Sequence, residues 1–252
     1  MPLRIAFDLD GVFADMEGEL VRQAEALFGG AMTRRLMEGS STGHAETADN
    51  GAQTDPGESK DPLPSTDEAP ALSSLQMTSR QTRRLWRHVQ TIEDFWGTLD
   101  ELETGVIARL AHIAADQRWE VIFLTKRPEC AGSTSQVQTQ RWLEAKGFPL
   151  PSVFVVQGSR GRIAASLDLD FVVDDRPENC LDVVVDSKAR AILVWRDEAK
   201  QPPAAARRLG IGVVKSVGEC LDILQQLDAP GPDKPKVIDR VMRLLGLKEH
   251  SA

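Results

Sequence analysis

At 252 residues, 41% hydrophobic and 27% charged, the chain is long enough for one sizeable core plus an insertion, or for two small domains, and its composition is that of an ordinary globular protein. No stretch approaches the ~18 apolar residues of a membrane span, and the apolar run before Asp8 is too short for a signal peptide. Three widely spaced cysteines, Cys130, Cys180 and Cys220, argue against a disulfide framework and against paired zinc spacing. The expectation is a cytoplasmic protein with no membrane partner.

The net charge of -8 is local, because residues 38–72 hold eight acidic residues and one lysine, which leaves the rest at -1. The body of the chain therefore does not repel an anionic ligand.

In chain order, Leu3 to Phe7 is a short apolar run with strand character. Met16 to Phe28 carries Met16, Leu20, Ala24, Leu27 and Phe28 at the spacing of one helical face. Residues 38–74 are rich in Ser, Thr, Gly, Asp, Glu and Pro. Such a segment cannot bury enough surface to offset its ordering entropy, so it is expected to be disordered. Periodicity returns at Ser79 to Gln90, a helix holding Arg80, Arg83, Arg84 and Arg87 beside Trp86.

Strands and helices then alternate. Helices are expected over 104–116, 135–146, around 163–167, 179–187 and 217–227. Strands are expected over 121–124, 153–156, 171–173, 191–195 and 212–214. A Pro- and Gly-containing linker from Ala229 leads to a short amphipathic helix over 236–247. Fully apolar four-residue strands suit a parallel sheet covered on both faces, and their alternation with helices predicts an α/β, doubly wound (Rossmann-like) fold. Such folds bind ligands beyond the carboxyl ends of the strands.

The residues at those ends form a consistent chemical set. Asp8 and Asp10 follow the first strand, and two carboxylates so placed repel each other unless a cation sits between them. Magnesium, a hard cation, takes a few carboxylates plus water and phosphate oxygens. Gly11 lets the chain turn sharply away. A carboxylate attacking phosphorus would split hydrolysis into two displacements, with the second carboxylate as acid and base. Asp174 and Asp175 end another strand and read either as a turn before Pro177 or as further metal ligands, and the first pair favours the metal. Thr125 and the amides after it, with Lys126, can meet a phosphate. Arg160 or Arg162 would offset the gathered negative charge.

Asp8-Leu9-Asp10-Gly11-Val12, Thr125, a downstream basic residue and Asp174-Asp175, in this order, resemble the four motifs of the haloacid dehalogenase superfamily. That resemblance implies Asp8 as nucleophile and magnesium ligand. Asp10 would be the general acid/base, with its backbone carbonyl facing the metal. Asp174 would ligate Mg2+ directly and Asp175 through water, with Thr125 on the phosphate. Arginine, at 160 or 162, stands where the superfamily usually has lysine, and Arg162 is favoured for that place because it directly precedes Ile163-Ala164-Ala165.

The resemblance also implies a core of residues 1–15 and 98–227, a small helical cap over 16–97 carrying the insertion, and a tail over 228–252. Asp10 to Asp15 and Phe95-Trp96-Gly97-Thr98-Leu99 resemble more closely the 5'(3')-deoxyribonucleotidase group. Lys126 and Arg127 replace a small residue and a proline there. The activity implied is a phosphomonoesterase for a small phosphorylated metabolite, a nucleoside monophosphate being one candidate, with Arg84 and Arg87 available to contact it. Nucleic acid is not expected as a partner. A non-catalytic binding module and a phosphatase of nucleic-acid ends are the alternatives.

Overall fold

The computed structural model describes residues 2–41, 75–197 and 199–228. The six strands are β1 (Arg4–Asp8), β2 (Glu120–Thr125), β3 (Ser152–Val155), β4 (Phe171–Asp174), β5 (Arg190–Val194) and β6 (Gly212–Val214). They form one sheet in the order β3-β2-β1-β4-β5-β6, parallel throughout. The helices are α1 (Met16–Phe28), α2 (Gly30–Ser41), α3 (Ser79–Gln90), α4 (Val106–Gln117), α5 (Ser135–Ala145), α6 (Arg160–Ser166), α7 (Pro177–Asp186), α8 (Ala204–Arg208) and α9 (Val217–Asp228). The α/β, Rossmann-like expectation holds. Among the described residues no helix is long and apolar enough to cross a membrane.

The described residues divide into two units. One comprises residues 2–16, 96–127, 133–197 and 199–228, and holds the sheet. The other comprises residues 17–41, 75–95 and 128–132, and holds α1, α2 and α3.

The core of the sheet unit follows from side-chain alternation along the strands. Ala6, Leu124, Val172 and Leu193 lie in a buried cluster with Ala164 of α6 and Cys180 and Val183 of α7. The intervening Phe7 and Phe123 join Phe13 and Phe148, with successive ring centroids 5.0–5.9 Å apart, a spacing that suits tilted and edge-on aromatic pairs. The chain order switches on either side of β1, which opens the crevice where α/β sheets take ligands. Register places Asp8 beside Leu124, and one step past the Phe7–Val173 pair stands Asp174. Asp8 and Asp174 thus share the face of Ala6 and Val172.

Local chemistry sets the helix starts of this unit. Ser159 accepts from the Arg162 amide at 3.2 Å and starts α6, while Pro177 opens α7. Glu103 accepts from the amides of Val217 and Gly218 at 2.7 and 2.9 Å. It caps α9 from a distant point in the chain and is favoured by the helix dipole. A Cβ at Gly161 would stand 2.1 Å from the Asp182 carbonyl, so only glycine lets α6 and α7 approach this closely.

In the helical unit, Thr78 and Gln81 form a reciprocal capping box on α3. Leu85, Trp86 and Val89 are buried there with Leu20 and Ala24 of α1. The expectation of disorder from Glu38 needs correcting at its edge, because Glu38–Ser41 continue the backbone of α2. Residues 42–74 and the expected helix over 236–247 lie outside the described residues.

Candidate active site

Asp8, the last residue of β1, is buried, and its Oδ1 accepts from Arg160 Nη2 at 2.6 Å. Burial, and after it the charge of Asp174, holds its pKa well above the ordinary 3.8, with the Arg160 guanidinium pulling the other way. Asp174 is fully buried. Its carboxylate accepts from Asn179 Nδ2 at 2.9 and 3.0 Å and from the Arg176 amide at 2.9 Å. Burial raises its pKa also, against Arg160, whose Nε is 3.8 Å away. Burial and the neighbouring Asp174 push Asp175 up to about 7, and its buried Oδ1 has no hydrogen-bond partner.

The loop after β1 is tightly wound, with the amides of Phe13 and Ala14 donating to the Leu9 carbonyl at 2.8 and 2.9 Å. Gly11 has φ +86, and a Cβ there would lie 2.0 Å from Asp175 Oδ2. The position therefore needs glycine both for its backbone and for the carboxylate beside it. Arg196 holds the loop from β5, donating to the carbonyls of Gly11 at 2.5 Å and Val12 at 2.9 Å, and it pairs with Glu103 at 2.6 Å.

Asp10 follows two residues after Asp8. Its carboxylate accepts from Thr125 Oγ1 at 3.0 Å, and from Arg127 through Nη2 at 2.7 Å and Nε at 3.1 Å to each oxygen. Thr125 itself is fully buried at the end of β2.

The structure thus gathers Asp8, Asp10, Thr125, Asp174 and Asp175 at the ends of the three central strands. It corrects the expectation for the basic residue. Arg162 points to solvent, its side chain 84% exposed and 4.0 Å from Asp186. Arg160 instead is 2% exposed and reaches Asp8. The phase of α6 is the reason, because Arg160, Gly161 and Ala164 form its buried face and Arg162 falls outside it. Arg160 Nε and Nη1 are buried without hydrogen-bond partners, which suits an anionic group arriving beside Asp8. Lys126 is half-buried. Arg84 and Arg87 are exposed on α3 in the helical unit, where the Arg84 guanidinium stacks 5.4 Å from the centroid of Phe28.

Sequence reading missed Arg127, Arg196 and Glu103 as parts of the site. In the sequence Arg127 stands out only as a departure from a pattern, and no local signal marks the other two. Burial pushes the thiols of Cys180 and Cys220 up, so neither is a nucleophile near neutral pH.

The donor chemistry at Asp8, Asp174 and Asp175 fits a small hard cation, which would relieve the repulsion and meet the unpartnered Asp175 oxygen. Among the described residues no three acidic, His or Cys side chains converge on one metal position as they stand. Magnesium asks for less, being held through one or two carboxylates with water and phosphate oxygens completing its shell. The side chain of Asp10, engaged by Arg127 and Thr125, leaves its backbone carbonyl as the group the resemblance assigns to the metal.

No family model matches the chain, and no curated protein matches it. Among solved structures it is similar to a Thermotoga maritima protein assigned as a beta-phosphoglucomutase. The TM-score is 0.51 at 16% identity, over 89% of this chain and 99% of that one. At such identity the likeness shows a shared fold. A haloacid dehalogenase-like family hydrolase from Xanthomonas campestris aligns over 98% of this chain and 99% of its own at 15% identity. Its TM-score of 0.43 is too low for a common fold to be read from it.

Proposed function

We propose that the chain is a magnesium-dependent phosphomonoesterase of the haloacid dehalogenase type that works through an aspartyl phosphate on Asp8. The observation that carries this reading is the buried Asp8 at the switch point of the sheet, set among Asp10, Asp174 and Asp175 and paired with the buried Arg160.

In the first displacement an Asp8 carboxylate oxygen attacks phosphorus. The bond from phosphorus to the ester oxygen breaks, and Asp10 gives that oxygen a proton. In the second, water attacks phosphorus and gives a proton to Asp10, and the bond from phosphorus to Asp8 breaks. Phosphate leaves and both carboxyl groups return to their starting states. Arg160 orients Asp8 and offers its free N–H groups to the phosphoryl oxygens as charge develops there. Thr125 supports Asp10 and Lys126 adds positive charge at the same strand end. Asp8 and Asp174, with Asp175 through water, would hold a magnesium ion, which would supply positive charge to offset that of the nucleophile and phosphate.

The resemblance of Asp10 to Asp15 and of Phe95 to Leu99 to the 5'(3')-deoxyribonucleotidase group makes nucleoside monophosphates the first substrates to try. The test is phosphate release from a panel of phosphomonoesters, with magnesium and with a chelator, for wild type and Asp8→Asn. Magnesium-dependent release that the variant loses supports the reading. Equal release by the variant removes Asp8 as nucleophile, and no release by wild type brings the binding-module alternative forward.

A further inference from the structure

Arg127 stands two residues past the end of β2 with its side chain entirely buried. Burying a guanidinium costs roughly several kcal/mol of solvation after relaxation unless its donors are matched, and here each of its three nitrogens has a partner. The Nε–Nη2 edge faces both oxygens of Asp10. Nη1 donates to Thr139 Oγ1 at 2.9 Å, and that hydroxyl donates on to the Ser135 carbonyl at 2.6 Å. The Arg127 guanidinium carbon is 5.0 Å from the ring centroid of Trp96 and 5.9 Å from that of Trp142.

The two indoles are held in turn. The Trp142 Nε1–H donates to the Leu99 carbonyl at 2.7 Å, and the Trp96 amide donates to Gln138 Oε1 at 2.9 Å. Two rings and a hydroxyl thus converge on a guanidinium that is aimed at a single carboxylate. The Asp10 side chain remains 13% exposed, so a substrate oxygen can reach it while its orientation is fixed. Lysine cannot copy this arrangement, because it lacks both the planar fork and the stacking face.

We propose that Arg127, clamped by Trp96, Trp142 and Thr139, is a positioning residue that orients Asp10 for delivery of its proton to the leaving oxygen. This rests on the phosphomonoesterase reading above. Arg127 touches neither phosphate nor leaving group, so its influence passes through Asp10. The consequence is selective. A leaving alkoxide needs that proton, whereas an activated phenolate departs without it.

The experiment compares p-nitrophenyl phosphate with the alkyl phosphate turned over fastest in the panel, for wild type, Arg127→Lys, Arg127→Gln and Trp96→Phe. Asp8→Asn and Asp10→Asn are run beside them, and melting curves check folding. Loss of oriented proton transfer should lower kcat/KM, which reports departure of the leaving group, by ~100-fold or more on the alkyl phosphate and by under ~5-fold on the aryl phosphate, while kcat falls on both wherever the second displacement, in which Asp10 takes the proton from water, is limiting. In the Asp10→Asn background, Arg127→Lys should add no further loss on either substrate. Trp96→Phe, which keeps an aromatic face, should retain most of the activity.

An equal loss of kcat/KM on both substrates, or a further loss in the Asp10→Asn background, overturns the proposal. Should the Arg127 variants not fold, Thr139→Val removes one guanidinium contact without touching Asp10 and is judged by the same comparison. Absence of Asp8-dependent release from wild type overturns the phosphatase reading and this inference together. Asp8-dependent release with a uniform Arg127 effect overturns the inference alone.

Discussion

Stripped of divalent cations, the protein should become more stable as pH is lowered from about 8 to about 5.5. Asp175 moves from an ordinary 3.8 to about 7 on folding, chiefly through burial and the charge of Asp174. The folded chain therefore binds this proton more tightly than the unfolded one. Stability falls as pH rises between the two values and is level above about 7. At about 1.36 kcal/mol per pH unit the full range is worth roughly 4 kcal/mol. About half of that, roughly 2 kcal/mol, is recovered on reaching pH 5.5. In a protein of this size about 1 kcal/mol moves Tm by about 2–4 °C, so the expected gain is roughly 4–8 °C.

Asp8 and Asp174 shift in the same direction and add to the effect. Thermal melting in chelator at both pH values, for wild type and Asp175→Asn, isolates the contribution of Asp175, because the other carboxylates titrate in both proteins. The variant should be the more stable of the two near pH 8 and should gain less on acidification than wild type, by roughly the 2 kcal/mol that Asp175 contributes. Magnesium should reverse the pattern in wild type, because binding requires ionised carboxylates. Identical pH dependence of wild type and Asp175→Asn would refute the argument that these carboxylates are held together against their charge.

Two substitutions separate the arginines of α6. Arg160→Ala leaves Asp8 buried and unpaired, so it should cost about 3–5 kcal/mol in denaturant unfolding and abolish phosphate release. Arg162→Ala, at an exposed position, should change stability by no more than about 0.5 kcal/mol and leave turnover intact. Gly11→Ala forces an alanine to φ +86 and drives its Cβ onto Asp175. The backbone alone should cost about 1–2 kcal/mol, seen as a lower Tm, and displacement of Asp175 should weaken magnesium binding measured by calorimetry.

The order of strands and helices was legible because each buries a strong pattern. β1, β2 and β4 are short apolar runs that end in polar residues, and α1 and α3 match their expected spans, Met16–Phe28 and Ser79–Gln90. α2 was not legible. Among its residues with described side chains only Thr33 is buried, and Met32 and Met37 are 40% exposed, so no apolar stripe marks it. α8 is five residues long with only Ala206 buried, too short for a period to register.

The candidate site divides along the same physical line. Asp8, Asp10, Thr125, Asp174 and Asp175 lie at or just beyond the ends of adjacent parallel strands, so position in the chain already fixes which residues meet. Arg160 required one further step, the phase of a seven-residue helix. Gly161 and Ala164 are the small residues that a close helix contact needs, and a helical turn carries Arg160 onto their side and Arg162 away from it. An apolar run after Arg162 says that a helix is there without saying which way it faces. Arg127 lay further from reach. Its partners Asp10, Trp96, Thr139 and Trp142 are joined through the fold, and adjacency in the chain gives no sign of them. A buried arginine two residues beyond a strand becomes intelligible only when the carboxylate it faces and the indoles it packs against are known together. The strand ends therefore nominate the residues of the chemistry, while the groups that hold them in place are read from packing.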